Sequence, residues 1–173
     1  MHLTELAREH GDKPAVIMAD SGATLSYAEL ERQSNKVAHL FRARGLRPGD
    51  HIAVLMENRL EFFPVVWAAQ RSGLFYTPVN WHLSAAEAAY IVADCGARLL
   101  VASSELEELA AVAAASAPAL EGRLTVGPPS PGWSRWPTRP RRCRTRRSPT
   151  RPRAITCCTR PAPPASRRAS CPR

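Results

Sequence analysis

A short apolar run, closed at both ends, constrains this chain most. Ser72-Gly73 reads as a helix end, because glycine takes the left-handed backbone that closes a helix without a steric penalty. Leu74 to Val79 follows, of strand length and bounded by turn residues, and reads as a short buried strand. Asn80-Trp81-His82-Leu83 is a turn. Ser84 stands three residues before Glu87, the spacing at which a hydroxyl and a carboxylate satisfy each other's orphan backbone amides at a helix start. Taken alone, the stretch is one helix–strand–helix unit.

The flanking sequence repeats that rhythm. Thr4 to His10 predicts a short helix with Leu3, Leu6 and Ala7 on one side, stopped by Gly11. Ala15 to Met18 predicts a strand, and Asp20-Ser21-Gly22 a turn that makes a hairpin with the next short strand. Ser26 with Glu29 has capping-box spacing, and Leu30, Val37, Leu40 and Phe41 follow at helical spacing up to Gly45. Pro48-Gly49-Asp50 is a turn before a strand over His51 to Met56. A helix is expected from Asn58 to Ser72, with Phe62, Val66 and Ala69 along one face and Pro64 in an early turn where its missing amide matters least. Beyond the central unit come a strand over Arg98 to Ala102, a helix over Glu105 to Ala115 capped by Ser104, and a strand over Leu124 to Val126. Strands alternating with helices predict an α/β fold with a mostly parallel sheet.

Charge divides the chain in two. Of its 24 Lys and Arg residues, 13 lie in 131–173, all of them Arg, together with 9 of the 16 prolines and 4 of the 5 cysteines. All 15 acidic residues lie before that point. The first 130 residues therefore carry a net −4 and the tail +13, so the pI near 10.2 belongs to the tail. Two regions are expected: 1–130 as the folded part, and 131–173 as a disordered tail without the apolar residues to offset ordering entropy. With Cys95 as the sole cysteine before residue 131, no signal-like N-terminus and no apolar run of roughly 20 residues, a cytoplasmic protein is expected.

Four stretches in order carry a resemblance. Leu25-Ser26-Tyr27-Ala28-Glu29-Leu30, Gly45-Leu46-Arg47-Pro48-Gly49-Asp50 with Ile52-Ala53-Val54, Gly73 to Leu83, and Ala93-Asp94-Cys95-Gly96-Ala97-Arg98-Leu99-Leu100 are similar to successive motifs of the adenylate-forming ligases. Asn80 resembles the acyl-CoA synthetase branch rather than the peptide-synthetase branch. The resemblance covers residues 1 to about 130 and implies a partial N-terminal subdomain of a larger ligase. It implies carboxylic acid activation by ATP with Mg2+, an acyl-adenylate, and transfer to coenzyme A. The family's phosphate loop and later motifs are not in residues 1–130, so no catalytic, cofactor-binding or metal residue is carried over, and a chain of these 173 residues is expected to bind none of these cofactors and to be inactive.

The tail is expected to carry that loop in another frame. Read from the third base of each codon, Ile155 to Pro172 permits His-Met-Leu-Tyr-Ser-Ser-Gly-Thr-Thr-Gly-Val-Pro-Lys-Gly-Ile-Val-Pro, which resembles the family's phosphate-loop signature. The second and third bases are largely imposed by the residues present, and Arg168 must then be encoded by AGG. The same shift turns Trp133-Ser134-Arg135-Trp136-Pro137-Thr138 into a permitted Glu-Ser-Leu-Ala-Asp, so a frameshift is placed near Trp133.

The competing function is nucleic-acid binding by the Arg-rich tail. Cys143, Cys157, Cys158 and Cys171 lack C-x-x-C spacing, which disfavours zinc. His2, His10, His39, His51 and His82 form no ligand pattern. Cys95 fits a small core residue, and Trp81 and His82 fit turn packing better than the edge of a substrate or coenzyme channel.

Overall fold

Short apolar runs such as Ile52 to Leu55 and Leu99 to Ala102, set between helices, place both faces of one sheet under cover. The computed structural model describes residues 2–128 and 132–135. Its elements are α1 (Leu3–His10), β1 (Pro14–Ile17), β2 (Thr24–Ser26), α2 (Tyr27–Ala43), β3 (His51–Leu55), α3 (Phe62–Arg71), β4 (Phe75–Val79), α4 (Ala85–Asp94), β5 (Leu99–Ser103), a 3-10 turn (Ser104–Leu106), α5 (Glu107–Ala115), β6 (Gly122–Val126) and β7 (Ser134–Arg135). β1 and β2 form an antiparallel hairpin, and the other strands form one parallel sheet in the order β4-β3-β5-β6-β7. The α/β fold with a parallel sheet is thus as the alternation predicts. No helix among the described residues is long and apolar enough to cross a membrane.

Successive side chains on a strand point to opposite faces. Ile52, Val54, Leu99, Val101, Leu124 and Val126 turn to one face, where Val37, Ala38 and Phe41 of α2 and Val65, Ala68 and Ala69 of α3 cover them. Ala53, Leu55, Val79, Leu100 and Ala102 turn to the other, under Ala88 and Val92 of α4 and Ala110, Ala113 and Ala114 of α5. A third cluster, Leu3, Leu25 and Leu30 with Phe63 and Trp67 against it, ties α1 and the hairpin to α2 and α3.

Several expectations shift. β4 is an edge strand rather than a buried one: Phe75 is 59% exposed, Tyr76 40%, and Val79 alone in it is buried. Strand order decides this, and Pro78 is at home on an edge because it cannot donate to a ladder. α3 begins at Phe62, after a turn over 59–61, and buries Val65, Ala68 and Ala69 while Val66 is only half-buried. The helix sits between two clusters, so Phe62 serves one and Phe63 and Trp67 the other. Ser104 does not cap a helix; its hydroxyl donates to Glu105 Oε2 at 3.0 Å, and a 3-10 turn precedes α5. Ser84 and Glu87 make the full capping box. Ser26 makes half of one, accepting from the Glu29 amide, while Glu29 accepts from Gln33 at 2.7 Å and pairs with Arg32. β7 pairs Ser134 with Leu124 inside the stretch expected to be disordered. The rest of the expected tail, residues 136–173 with Cys143, Cys157, Cys158 and Cys171, lies outside the described residues.

Candidate functional site

In open parallel sheets the crevice beyond the carboxyl ends of the strands is where ligands sit. Here β3 ends in Met56-Glu57-Asn58-Arg59, β4 in Asn80, and β5 in Ser103-Ser104-Glu105. Arg59 is the hub. Its guanidinium reaches Glu57 at 2.8 Å, Glu61 at 3.1 Å and Glu105 at 3.0 Å, and the Ser103 hydroxyl donates to Glu57. Burial works against the charge on Arg59, but hydrogen bonding to Glu61 and the fields of all three carboxylates outweigh it and push its pKa up. Glu105 is held below the ordinary carboxylate value, first by its own backbone amide and against partial desolvation, with Ser104 and Arg59 adding to the effect. Gly127 closes this end: a Cβ there would lie 2.2 Å from Ser104 Oγ, and its φ of 123° favours glycine as well.

Beside the hub, a cleft of about 640 Å3 opens between the hairpin, the carboxyl ends of β3 and β4, and the start of α3. Its walls are chiefly apolar, among them Val16, Met18, Met56, Phe62 and Phe63, with Asp20, Glu57, Asn58 and Asn80 at the polar positions. Glu57, Glu61 and Glu105 all face Arg59, whereas Asp20 lines the cleft without a charge partner among the described residues.

The residues singled out in the sequence fall as follows. Asn80 Oδ1 accepts the His82 amide at 3.0 Å, a local turn bond, and the Trp81 and His82 rings lie 3.5 Å apart with Trp81 38% exposed. His51 stacks on Phe75 at 4.8 Å, and His2 caps α1. Cys95 is half-buried at the end of α4 with its thiol toward the Val92 carbonyl. No group of His, Cys, Asp and Glu among the described residues is placed to hold a metal ion. The Arg59 hub was missed; its trace in the sequence is the alternation Glu57-Asn58-Arg59-Leu60-Glu61, which puts opposite charges two residues apart, but the third carboxylate comes from 44 positions further on in the 3-10 turn.

A parallel sheet covered on both faces, with its strand ends opening beside a hairpin, resembles the N-terminal part of CoA ligases of known structure. The likeness covers 78% of this chain and 34% of a Rhodopseudomonas palustris protein described as a long-chain-fatty-acid CoA ligase, with a TM-score of 0.72 at 22% identity. Residues 3–155 match the family of AMP-binding enzymes, and the chain belongs to that family. The match runs past residue 130, where the composition changes. Among curated relatives, a fatty acid–[acyl-carrier-protein] ligase of Streptomyces coeruleorubidus is 38% identical over 99 residues, 57% of this chain and 19% of that protein. A crotonobetaine/carnitine–CoA ligase of Citrobacter koseri is 35% identical over 104 residues, 58% of this chain and 20% of that protein. The chain thus spans about a fifth of the length of the curated relatives it matches.

Proposed function

We propose that this chain derives from a ligase that joins a carboxylic acid, of the fatty-acid class, to coenzyme A. In the first step the carboxylate attacks the α-phosphorus of ATP and pyrophosphate leaves. In the second the thiol sulfur attacks the acyl carbonyl and AMP leaves. The observation that carries the reading is the family match together with the phosphate-loop sequence that the tail permits in its alternative frame. Backbone amides and a lysine of such a loop hold ATP phosphates. In the frame as translated that loop and its lysine are replaced by an Arg- and Pro-rich run. A polypeptide of these 173 residues is therefore expected to be inactive, and no step through Mg2+ is assigned to its side chains. Coenzyme A as acceptor follows the acyl-CoA synthetase character of Asn80, and the carrier-protein acceptor named for the Streptomyces relative is the alternative. A cytoplasmic location rests on the single cysteine of the first 130 residues.

Sequencing the gene through codons 125–140 tests the origin. One base gained or lost there, with the loop continuing in the other frame, is the expected result. ATP–pyrophosphate exchange with fatty acids is expected only after the frame is restored. Exchange by the purified 173-residue chain would refute the reading. The Arg-rich tail supports the rival, nucleic-acid binding, whose sign is salt-sensitive binding that is lost when 131–173 are removed.

A further inference from the structure

We propose that the cleft bordered by the hairpin turn at Asp20 and the carboxyl ends of β3 and β4 binds a small amphiphilic cation, an aliphatic chain that ends in a primary ammonium group. The proposal goes beyond the ligase reading, whose acid substrate carries the opposite charge.

The cavity has the size and lining of a small-ligand site. Its volume of about 640 Å3 falls within the roughly 300–1,000 Å3 of such sites. The floor is apolar and firm, because Val54, Met56 and Val79 are at most 6% exposed. Phe62 and Phe63 stand in the wall edge to face, with ring centroids 5.8 Å apart. Ile17 also lines the cleft and is left in water at 65% exposure, so an aliphatic chain laid along the cleft covers it. Each methylene buried there strengthens binding about fourfold.

Charge decides the head group. Asp20 and Glu57 line the cleft, and Arg59 is the basic residue of that lining. The Arg59 guanidinium faces three carboxylates, Glu57 at 2.8 Å, Glu61 at 3.1 Å and Glu105 at 3.0 Å, so the hub stays net negative. Glu57 is shared with the Ser103 hydroxyl, and Asn80 Oδ1 takes the His82 amide. Asp20 and Asn58 differ from these: among the described residues neither side chain has a hydrogen bond or ion pair. A primary ammonium has three donors and no acceptor, which suits a carboxylate and an amide oxygen. Both groups are exposed, so the head stays at the wet rim while the chain lies inside, as a lysine side chain does on an apolar surface. A carboxylate on the same chain meets like charge at that rim.

Isothermal titration calorimetry of the 173-residue chain with octylammonium, octanoate and methylammonium tests this. Salt of about 0.15 M screens charges more than roughly 8 Å away. Saturable one-to-one binding of octylammonium is expected, with a Kd of about 1 mM or below. Octanoate, lacking the positive head, and methylammonium, lacking the chain, are each expected to bind at least tenfold more weakly. Asp20→Asn should weaken octylammonium binding about threefold to fivefold, the upper part of the range for an exposed ion pair. Glu9→Gln removes an equal charge from the exposed side of α1 and should leave it unchanged. Asparagine is at home in a turn, and the comparison of head groups on the unaltered chain needs no variant. No saturable octylammonium binding would overturn the proposal. Octanoate binding as tightly as octylammonium would overturn it too, and would make the cleft an unselective apolar groove. An Asp20→Asn chain that keeps full affinity would likewise overturn it. All three results leave the family reading standing, because that reading rests on the sequence match.

Discussion

The helices on the two faces of the sheet differ in bulk: α2 and α3 bury Phe41, Val37 and Val65 beside alanines, whereas α4 and α5 bury mostly alanine. Under α2 and α3 lie Phe41, Val37, Val65, Ile52 and Val54, all at most 1% exposed. Under α4 and α5 the helices bring Ala88, Ala110, Ala113, Ala114 and the nearby Ala117, with Val92 as the largest fully buried helical side chain. Bulky side chains hold a helix away from the sheet, and alanines let it approach, since interaxial distance follows the residues at the contact. One face should therefore fail when side chains are cut back, and the other when they are enlarged.

The largest expected effect is on the first face. Phe41→Ala removes a ring with no exposure and leaves a cavity among Val37, Ile52 and Leu124, at a cost of about 3–5 kcal/mol. Urea unfolding followed by circular dichroism reads it as a lowered midpoint. Next is Ala113→Leu on the second face, expected to cost about 1–3 kcal/mol by overpacking, where the same substitution at the exposed Val112 costs far less. If Ala113→Leu stabilises the chain, the second face is loosely filled and the contrast is broken.

A third difference is electrostatic. The α2–α3 side carries a polar clasp: Glu31 accepts from Arg71, from Asn35 at 2.9 Å and from Thr4 at 3.0 Å, joining α1, α2 and α3. Burial pushes the Glu31 pKa up, but the bonds from Arg71, Asn35 and Thr4 outweigh it and hold the carboxyl below its ordinary 4.5. A depressed carboxyl contributes stability that is fully present above its unfolded value and is lost as pH falls through the folded one. The melting temperature of the unaltered chain should therefore drop as pH falls below about 4.5, and Glu31→Gln should remove part of that slope while costing about 1 kcal/mol at neutral pH. A slope unchanged in Glu31→Gln would shift the acid sensitivity to Asp50 and Glu121, which are also depressed and both pair with Arg98.

Much of this was legible because it is local. Gly45, Gly73 and Gly96 mark helix ends at positive φ, and Ser84 with Glu87 marks a helix start, each readable within four residues. The parallel sheet followed from alternation. What escaped was set by distance along the chain. Nothing near Phe75 says that no strand among the described residues lies beyond it, so an edge strand read as a buried one. Nothing in Glu29 says that Gln33 and Arg32 will draw it from the Ser26 amide. The Arg59 hub needs Glu105, and β7 needs β6 beside it. The cleft walls come from β1, β3, β4 and α3 at once, which is why the sequence yielded a family but no site.

The smallest expected effect concerns how each face starts its helices. α4 opens with the reciprocal Ser84–Glu87 box, in which Glu87 bonds the Ser84 amide at 2.9 Å and its hydroxyl at 2.7 Å. α2 opens with the one-way bond from the Glu29 amide to Ser26. Ser84→Ala and Ser26→Ala should each cost about 1 kcal/mol. α2 is longer and anchored by Phe41, so its loss should appear as fraying of the first turn in hydrogen exchange, whereas α4, anchored by alanines and Val92, should lose protection along its length. If both helices fray alike, the packing under them does not set their independent stability, and the difference between the two faces lies in volume alone.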